Sequence, residues 1–449
     1  MKIDFGNIQG TVVYHFRRPI VRHLLFRFGA TAAAREFVSQ LLTRITMADR
    51  PLGSAPDPLV NAGFSVRGLQ ALGVAQALIE ELDATYLEGP DPWQLGDVPG
   101  SGSDPAQWWE GQFATEDVHC VVHLYVSSDD TLAAASADIR DLARNAGMTE
   151  LVPRQDGAVL EGRSLGGGKL HFGYRDGISY PDICWDDAAI GPEQLDFRHF
   201  ILGYSTKACS SAPRPGPAAD LVRDSTYGAF RWIYQDVAAF NEFLRTEGPR
   251  LYPHLAPADA EELLAAKLMG RWRDGTPLVL SPDCPDPTMA TRNDFRYQDQ
   301  DPNGHRCPFS AHIRVVNPRD QILDSIAETD GVPSVIRRGM PYGPPLRSAQ
   351  DDGVDRGIIG LFLCSDLRRQ VYTLTDWIKK NDFSPVYDAN RRVQDALLGN
   401  RKAPGTQPKF ILPSENGTAT VSGLPDFVHT KGTVFLLYPS KATLQQLAG

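Results

Sequence analysis

Cysteine is scarce in this chain, and the six present (Cys120, Cys184, Cys209, Cys284, Cys307 and Cys364) are scattered through 449 residues with no Cys-x-x-Cys pair. That excludes a zinc knuckle, a dithiol redox motif and a thioether-attached haem. The thiols read as reduced side chains packed as small hydrophobes. Basic charge is also in deficit, with 45 Lys and Arg against 55 Asp and Glu and a formal net charge of -10. No run of five or six basic residues interrupts this balance, so nothing favours a nucleic-acid partner. No apolar stretch reaches the roughly 20 residues of a membrane span. The opening MKIDFGNIQG carries acid and glycine where a secretory leader needs a basic end and an apolar run. The expected address is cytoplasmic, without a membrane partner, and a homo-oligomer is left open.

What is present describes a folded protein: 42% apolar and 22% charged residues, in a length that favours two domains. Strand and helix patterns interleave. VRHLLFRF (21–28) reads as a strand and Thr31 to Thr46 as a helix through Phe37, Leu41, Leu42 and Ile45. The same order returns at 119–128, followed by a helix capped by Asp129 or Asp130 and ending near Asn145 and Gly147. It recurs at 357–365, with a helix from Asp366 to about Lys380, and at 433–440, with a short helix through Leu444 and Leu447. Segments 208–220, 282–288 and 301–308 read as loops, and 87–107 as a surface excursion ordered by Trp93, Trp108 and Trp109. The pattern suits an α+β class in which helices cover one face of antiparallel sheets, one such unit in each half.

Two segments place reactive groups inside turn-forming sequence. In LGGGKLHFGYRDGISYPDI (165–183), Gly173 and Gly177 flank Tyr174, Arg175 and Asp176, and glycine there lets the backbone turn sharply or approach a flat ligand. In HRCPFSAHIRVVNPR (305–319), Pro308 and Pro318 bracket His312, Arg314, Asn317 and Arg319. By residue type alone, Asp-Gly is above all a turn and a lone histidine is more often structural than a ligand. His305 reads as exposed, and the other eight histidines lack metal-like spacing.

With the preceding Phe172, GYRDG resembles the GxxDG signature of the dye-decolourising haem peroxidases, and CPFSAHIRVVNPR resembles that family's haem-ligand segment. NIQG (7–10) is similar to the family's opening, and 227–244 to a central segment. GRWRDGTPLVLS (270–281) and NDFRYQDQDPNG (293–304) are similar to the approach to the ligand, IRRGMPYG (336–343) to the distal arginine segment, and 356–370 to the last core strand. Length and the missing leader match the longer, cytoplasmic branch of the family. Ser310 departs from a common glycine, and Arg337-Arg338-Gly339 lacks the asparagine some members place after the distal arginine.

The resemblance implies two ferredoxin-like halves, 1–180 ending with the GxxDG loop and 181–449 carrying the ligand, with one b-type haem held mainly in the second. It implies a peroxidase that uses hydrogen peroxide to oxidise dyes, phenols or other organic reductants through a ferryl intermediate. His312 is then the axial iron ligand, and Asp366 the carboxylate expected to hold its second nitrogen, with a helix cap as the alternative role. Asp176 takes and returns the peroxide proton while Arg337, or Arg338 in its place, stabilises charge. Arg314, Asn317 and Arg319 are candidates for the haem propionates, with a salt bridge as the other role for Arg314. Trp377 and Tyr342 are candidate electron relays, each otherwise a core residue. The competing readings are a haem storage, delivery or iron-release protein with weak peroxidase activity, which has no need of Asp176 and Arg337, and a haem-free interaction protein.

Overall fold

The computed structural model of the chain describes residues 3–49, 55–186, 190, 191, 193–204, 216–321, 332–379, 394–404 and 406–449. Apolar, β-branched runs bounded by turns become strands, and the amphipathic stretches between them become helices. The first set is β1 (Ile20–Arg27), α1 (Thr31–Leu42), β2 (Leu59–Phe64), β3 (Cys120–Val126), α2 (Asp129–Asn145) and β4 (Thr149–Leu151), with β5 (Leu160–Arg163) alongside β1. The order returns with β6 (Thr226–Gln235), α3 (Val237–Leu251), α4 (Pro257–Met269), α5 (His312–Val316), β7 (Ile336–Arg337), β8 (Met340–Tyr342), β9 (Gly357–Cys364), α6 (Thr373–Lys379) and β10 (Val428–Tyr438), before the terminal α7 (Lys441–Ala448). A hairpin of Lys409–Ser414 and Gly417–Ser422 stands outside both sets.

In space the early strands run β2-β3-β1-β4 and the later ones β8-β9-β6-β10, all antiparallel. Each set is a βαββαβ unit with its first and third strands central, the ferredoxin-like arrangement. The two sheets join edge to edge where Leu437 of β10 pairs with Phe64 of β2, which removes two open edges at once. One apolar core crosses the join, from Phe26 and Phe37 through Ile139 to Phe230, Leu361 and Leu436.

Several local expectations are corrected. Helix α1 stops at Leu42. Ser128, not Asp129 or Asp130, caps α2 by accepting from the Thr131 N–H, and the two aspartates occupy the first turn, where the helix end is positive. The helix expected from Asp366 begins as a π-helical turn, Leu367–Tyr372, before α6, and Lys380 lies outside the described residues. Trp108 and Trp109 are buried as expected, but Trp93 is 56% exposed. Of the 208–220 segment, 208–215 lie outside the described residues, as does Cys209, and Pro217–Leu221 forms a short helix. The five described cysteines are free thiols. Among the described residues no helix is long and apolar enough to cross a membrane.

A polar chain is buried at the join. His23 of β1 faces His123 of β3 with their Nδ1 atoms 2.6 Å apart, and His123 Nε2 lies 2.7 Å from the hydroxyl of Tyr438 on β10. Burial drives both imidazoles below their ordinary 6.5, His123 to about 3. The unfolded chain therefore takes up protons below 6.5 that the folded chain refuses. Stability is complete above pH 6.5 and drains as pH falls toward the folded values. Between pH 7 and 5, wild type should lose about 2 kcal/mol more than His123→Gln in urea unfolding. Equal losses would show that His123 is not the acid-sensitive group.

Candidate active site

The segment that carries His312 is held by backbone contacts on both sides. Pro308 O accepts from Ala311 N, Ala311 caps α5, and His312 is the first residue of that five-residue helix. Its Nδ1 lies 2.8 Å from Oδ2 of Asp395, a carboxylate with no exposed side-chain surface. The other Asp395 oxygen accepts from the backbone N–H groups of Leu397 and Leu398, both at 2.8 Å. A carboxylate surrounded by donors acts as an acceptor. It fixes the His312 proton on Nδ1 and leaves Nε2 with a lone pair, the arrangement a metal-binding imidazole needs. Arg401 clamps this loop, donating to Gln394 Oε1 and to the Asp395 and Ala396 carbonyls.

Asp366 therefore does not hold His312. It lies at the start of the Leu367–Tyr372 turn and accepts from Arg369 N at 2.9 Å, so a nearby backbone donor has claimed it as a helix cap. Arg314 is corrected as well. It is two residues beyond His312 and so about 200° around the helix from it. There its guanidinium bonds the Asp301 carboxylate, the Asp301 and Cys307 carbonyls and Gln321, between the rings of Tyr297 and Phe309. The Asn317 amide oxygen accepts from Arg319 N in a local turn, which leaves its NH₂ as the group able to donate to a carboxylate.

Arg319 has a different setting. With φ at +57° it reaches back over the Phe295 ring and bonds the carbonyl and side-chain oxygen of Asn293. Arg271 shares that side-chain oxygen. Burial, then the neighbouring Arg319, lowers the Arg271 guanidinium to about 10. The Nε atoms of both are buried without partners, and no ion pair neutralises either among the described residues. Two unneutralised guanidiniums beside a carboxylate-held histidine fit a haem, whose propionates need cations and whose iron needs a neutral imidazole.

The loop with Asp176 is anchored by the residues alternating with it. Phe172 and Tyr174 turn inward against Phe240, Leu264 and Phe427. The Tyr174 hydroxyl donates to Ala265 O at 2.7 Å, and Arg273 donates to Phe172 O at 3.0 Å. Gly173 and Gly177, with φ of +88° and +84°, supply the left-handed turns on either side of Asp176. In β7, Ile336 points into the core and Arg337 out of it. The Arg337 Nη1 comes within 3.6 Å of Asp176 Oδ1, with both side chains about a third exposed. Arg338 points elsewhere, donating to the carbonyls of Thr11, Val12 and Tyr14. Tyr342 and Trp377 are both buried, and the Tyr342 hydroxyl donates to Asp355.

Sequence reasoning missed Asp395, Arg271 and Arg401. Asp395 and Arg401 lie in a stretch without glycine pairs or histidine to mark it. Arg271 stands inside GRWRDG, whose likeness to the family was the one sign available.

No protein-family model matches the chain. A dye-decolorizing peroxidase of Mycena epipterygia is 31% identical over 406 residues, covering 85% of this chain and 73% of that one. Dye-decolorizing peroxidase msp1 of Mycetinis scorodonius is 28% identical over 474 residues, covering 99% and 87%. Among solved structures, a dye-decolorizing peroxidase in complex with 2,6-dimethoxyphenol superposes with a TM-score of 0.83 at 26% identity, each chain covered completely. With the Mycena relative matched above 30% across most of its length, the chain belongs to the dye-decolourising peroxidases, haem enzymes that oxidise their substrates with hydrogen peroxide.

Proposed function

We propose that this peroxidase divides its work between two sets of residues. His312, oriented by Asp395, would hold the haem iron through its unprotonated nitrogen, and Arg271 with Arg319 would pair with the propionates. Asp176 and Arg337 receive the peroxide. Bound haem supplies the redox chemistry, and every other task falls to the chain. Asp176 removes a proton from the near peroxide oxygen and returns it to the oxygen that departs as water, while Arg337 offsets the negative charge building there. The observation that carries this reading is the Asp176–Arg337 pair, 3.6 Å apart and open to solvent, because a storage or delivery protein has no use for a base and a cation at one spot.

The organic reductant belongs to the phenols and dyes, supported by the 2,6-dimethoxyphenol complex of a structural relative. A division near residue 180 is supported by the two βαββαβ units, and one haem per chain held mainly in the later half by the position of His312 and Asp395. A reducing, cytoplasmic compartment agrees with the free thiols. The test is a spectrum of the purified protein before and after one equivalent of hydrogen peroxide, followed by 2,6-dimethoxyphenol. A Soret band that changes with peroxide and returns with the phenol is expected. A haem spectrum indifferent to peroxide would leave a carrier as the reading.

A further inference from the structure

Arg337 and Arg338 are adjacent, yet the structure fixes them by different means. Arg338 is tied by its bonds to the Thr11, Val12 and Tyr14 carbonyls and to Arg337 O. The Arg337 guanidinium makes no hydrogen bond among the described residues, and its one ionic partner, Asp176, lies at 3.6 Å. A long arginine side chain, about a third exposed and without a hydrogen bond, has many rotamers open to it. A group that stabilises developing charge must already be in place when the charge appears.

The face of Tyr180 supplies what is missing. The Arg337 Cζ lies 5.7 Å from the centre of that ring, within cation–π range, and the Arg338 Cζ lies 6.0 Å away. The same ring rests on Gly177, the residue after Asp176, where an added Cβ would come within 3.3 Å of Tyr180 Cε2. His15 packs beside it, its ring 5.5 Å from that of Tyr180. Tyr180 is thus wedged between the loop that carries Asp176 and the strand that carries Arg337. Its hydroxyl has no hydrogen-bond partner among the described residues. Burial, then the negative Asp176, keeps the phenol protonated by raising its pKa.

We propose that Tyr180 is a positioning residue for the peroxide step, its ring face holding Arg337 over Asp176 while its hydroxyl is dispensable. This rests on the role given to Arg337 above. It separates two properties of one side chain, so Tyr180→Phe and Tyr180→Leu must behave differently. The Phe variant keeps the π face and should react with hydrogen peroxide at the wild-type bimolecular rate. The Leu variant keeps apolar bulk but loses the face, and its rate should fall about 10-fold. Turnover of 2,6-dimethoxyphenol at saturating peroxide should be unchanged in both, because the later steps do not use Arg337.

A double-mutant cycle excludes a merely structural role. If Tyr180 acts through Arg337, adding Tyr180→Leu to Arg337→Leu should slow the reaction no further. A general loosening of the loop would slow both backgrounds alike and overturn the proposal. A wild-type rate for Tyr180→Leu, or equal losses for Phe and Leu, would overturn it too. If Arg337→Leu alone is silent, the distal reading falls and takes the proposal with it. If Arg337→Leu is slow and Tyr180→Leu is not, only the proposal falls.

Discussion

Asp176→Asn should react with hydrogen peroxide about 10² to 10⁴ times more slowly than wild type, with its haem content unchanged. Asparagine preserves shape and can still hydrogen-bond, but it cannot take a proton from one oxygen and return it to another. Asp176 is held by its loop and not by haem, since Phe172 and Tyr174 anchor the turn and its own N–H bonds Gly168 O. The substitution therefore tests chemistry with little change in geometry. Arg337→Leu should cost about 10² to 10³ by removing a placed charge. Arg338→Leu is the control: its guanidinium is spent on the backbone of the N-terminal segment, so it should lower stability and leave the peroxide rate alone. Stopped-flow measurement of the first step decides. A wild-type rate for Asp176→Asn beside a dead Arg337→Leu would reduce the aspartate to a turn residue.

The second large effect concerns haem retention. Asp395 accepts from three donors, His312 Nδ1 on one oxygen and two backbone N–H groups on the other. Asp395→Asn has one oxygen for these two sides. Facing the amide oxygen toward both backbone donors turns its NH₂ toward His312, which must then accept at Nδ1 and carry its proton on Nε2. That tautomer cannot bind iron. Affinity for haem should fall about 10- to 100-fold, measured as the rate of haem transfer to apomyoglobin. His312→Ala should lose haem altogether. Asp366→Asn should match wild type, because asparagine caps a helix as well as aspartate does. Loss of haem from Asp366→Asn with retention by Asp395→Asn would reverse the assignment.

Why one aspartate was legible and the other was not follows from the distance over which each acts. The strand candidates at 21–28, 119–128 and 357–365 stand in the structure within a residue or two, because a strand's apolar pattern is local. His312, Asp176 and Arg337 were reachable because the segments around them resemble the family's motifs, where residue type alone left a turn and a structural histidine as the simpler readings. Asp395 lies 83 residues beyond His312, and nothing in VQDALL marks a partner for a distant imidazole. Asp366, at the end of a core strand, looked suitable by position, but a polar residue opening a helix is claimed by the nearest N–H before any remote group competes. For Arg314 the helical spacing already places it on the face away from His312, a consequence of the backbone alone once α5 is known to be helical.

The anchoring of the Asp176 loop bears on how the enzyme can vary. The loop follows the first βαββαβ unit in the chain, yet Phe172 and Tyr174 fasten it to α3 and α4 of the second, with Tyr174 bonded to Ala265 and Phe172 to Arg273. Both distal groups are thereby surveyed from a single frame. The first unit meets the second through a shared apolar core, the His123–Tyr438 contact and one bridged residue pair at the sheet edge. The surface it turns away from that join is therefore the part whose changes leave Asp176 and Arg337 in place. Its outer surface is free to drift, to accept insertions or to be recast for a new reductant, while the spacing that handles peroxide keeps its tolerance.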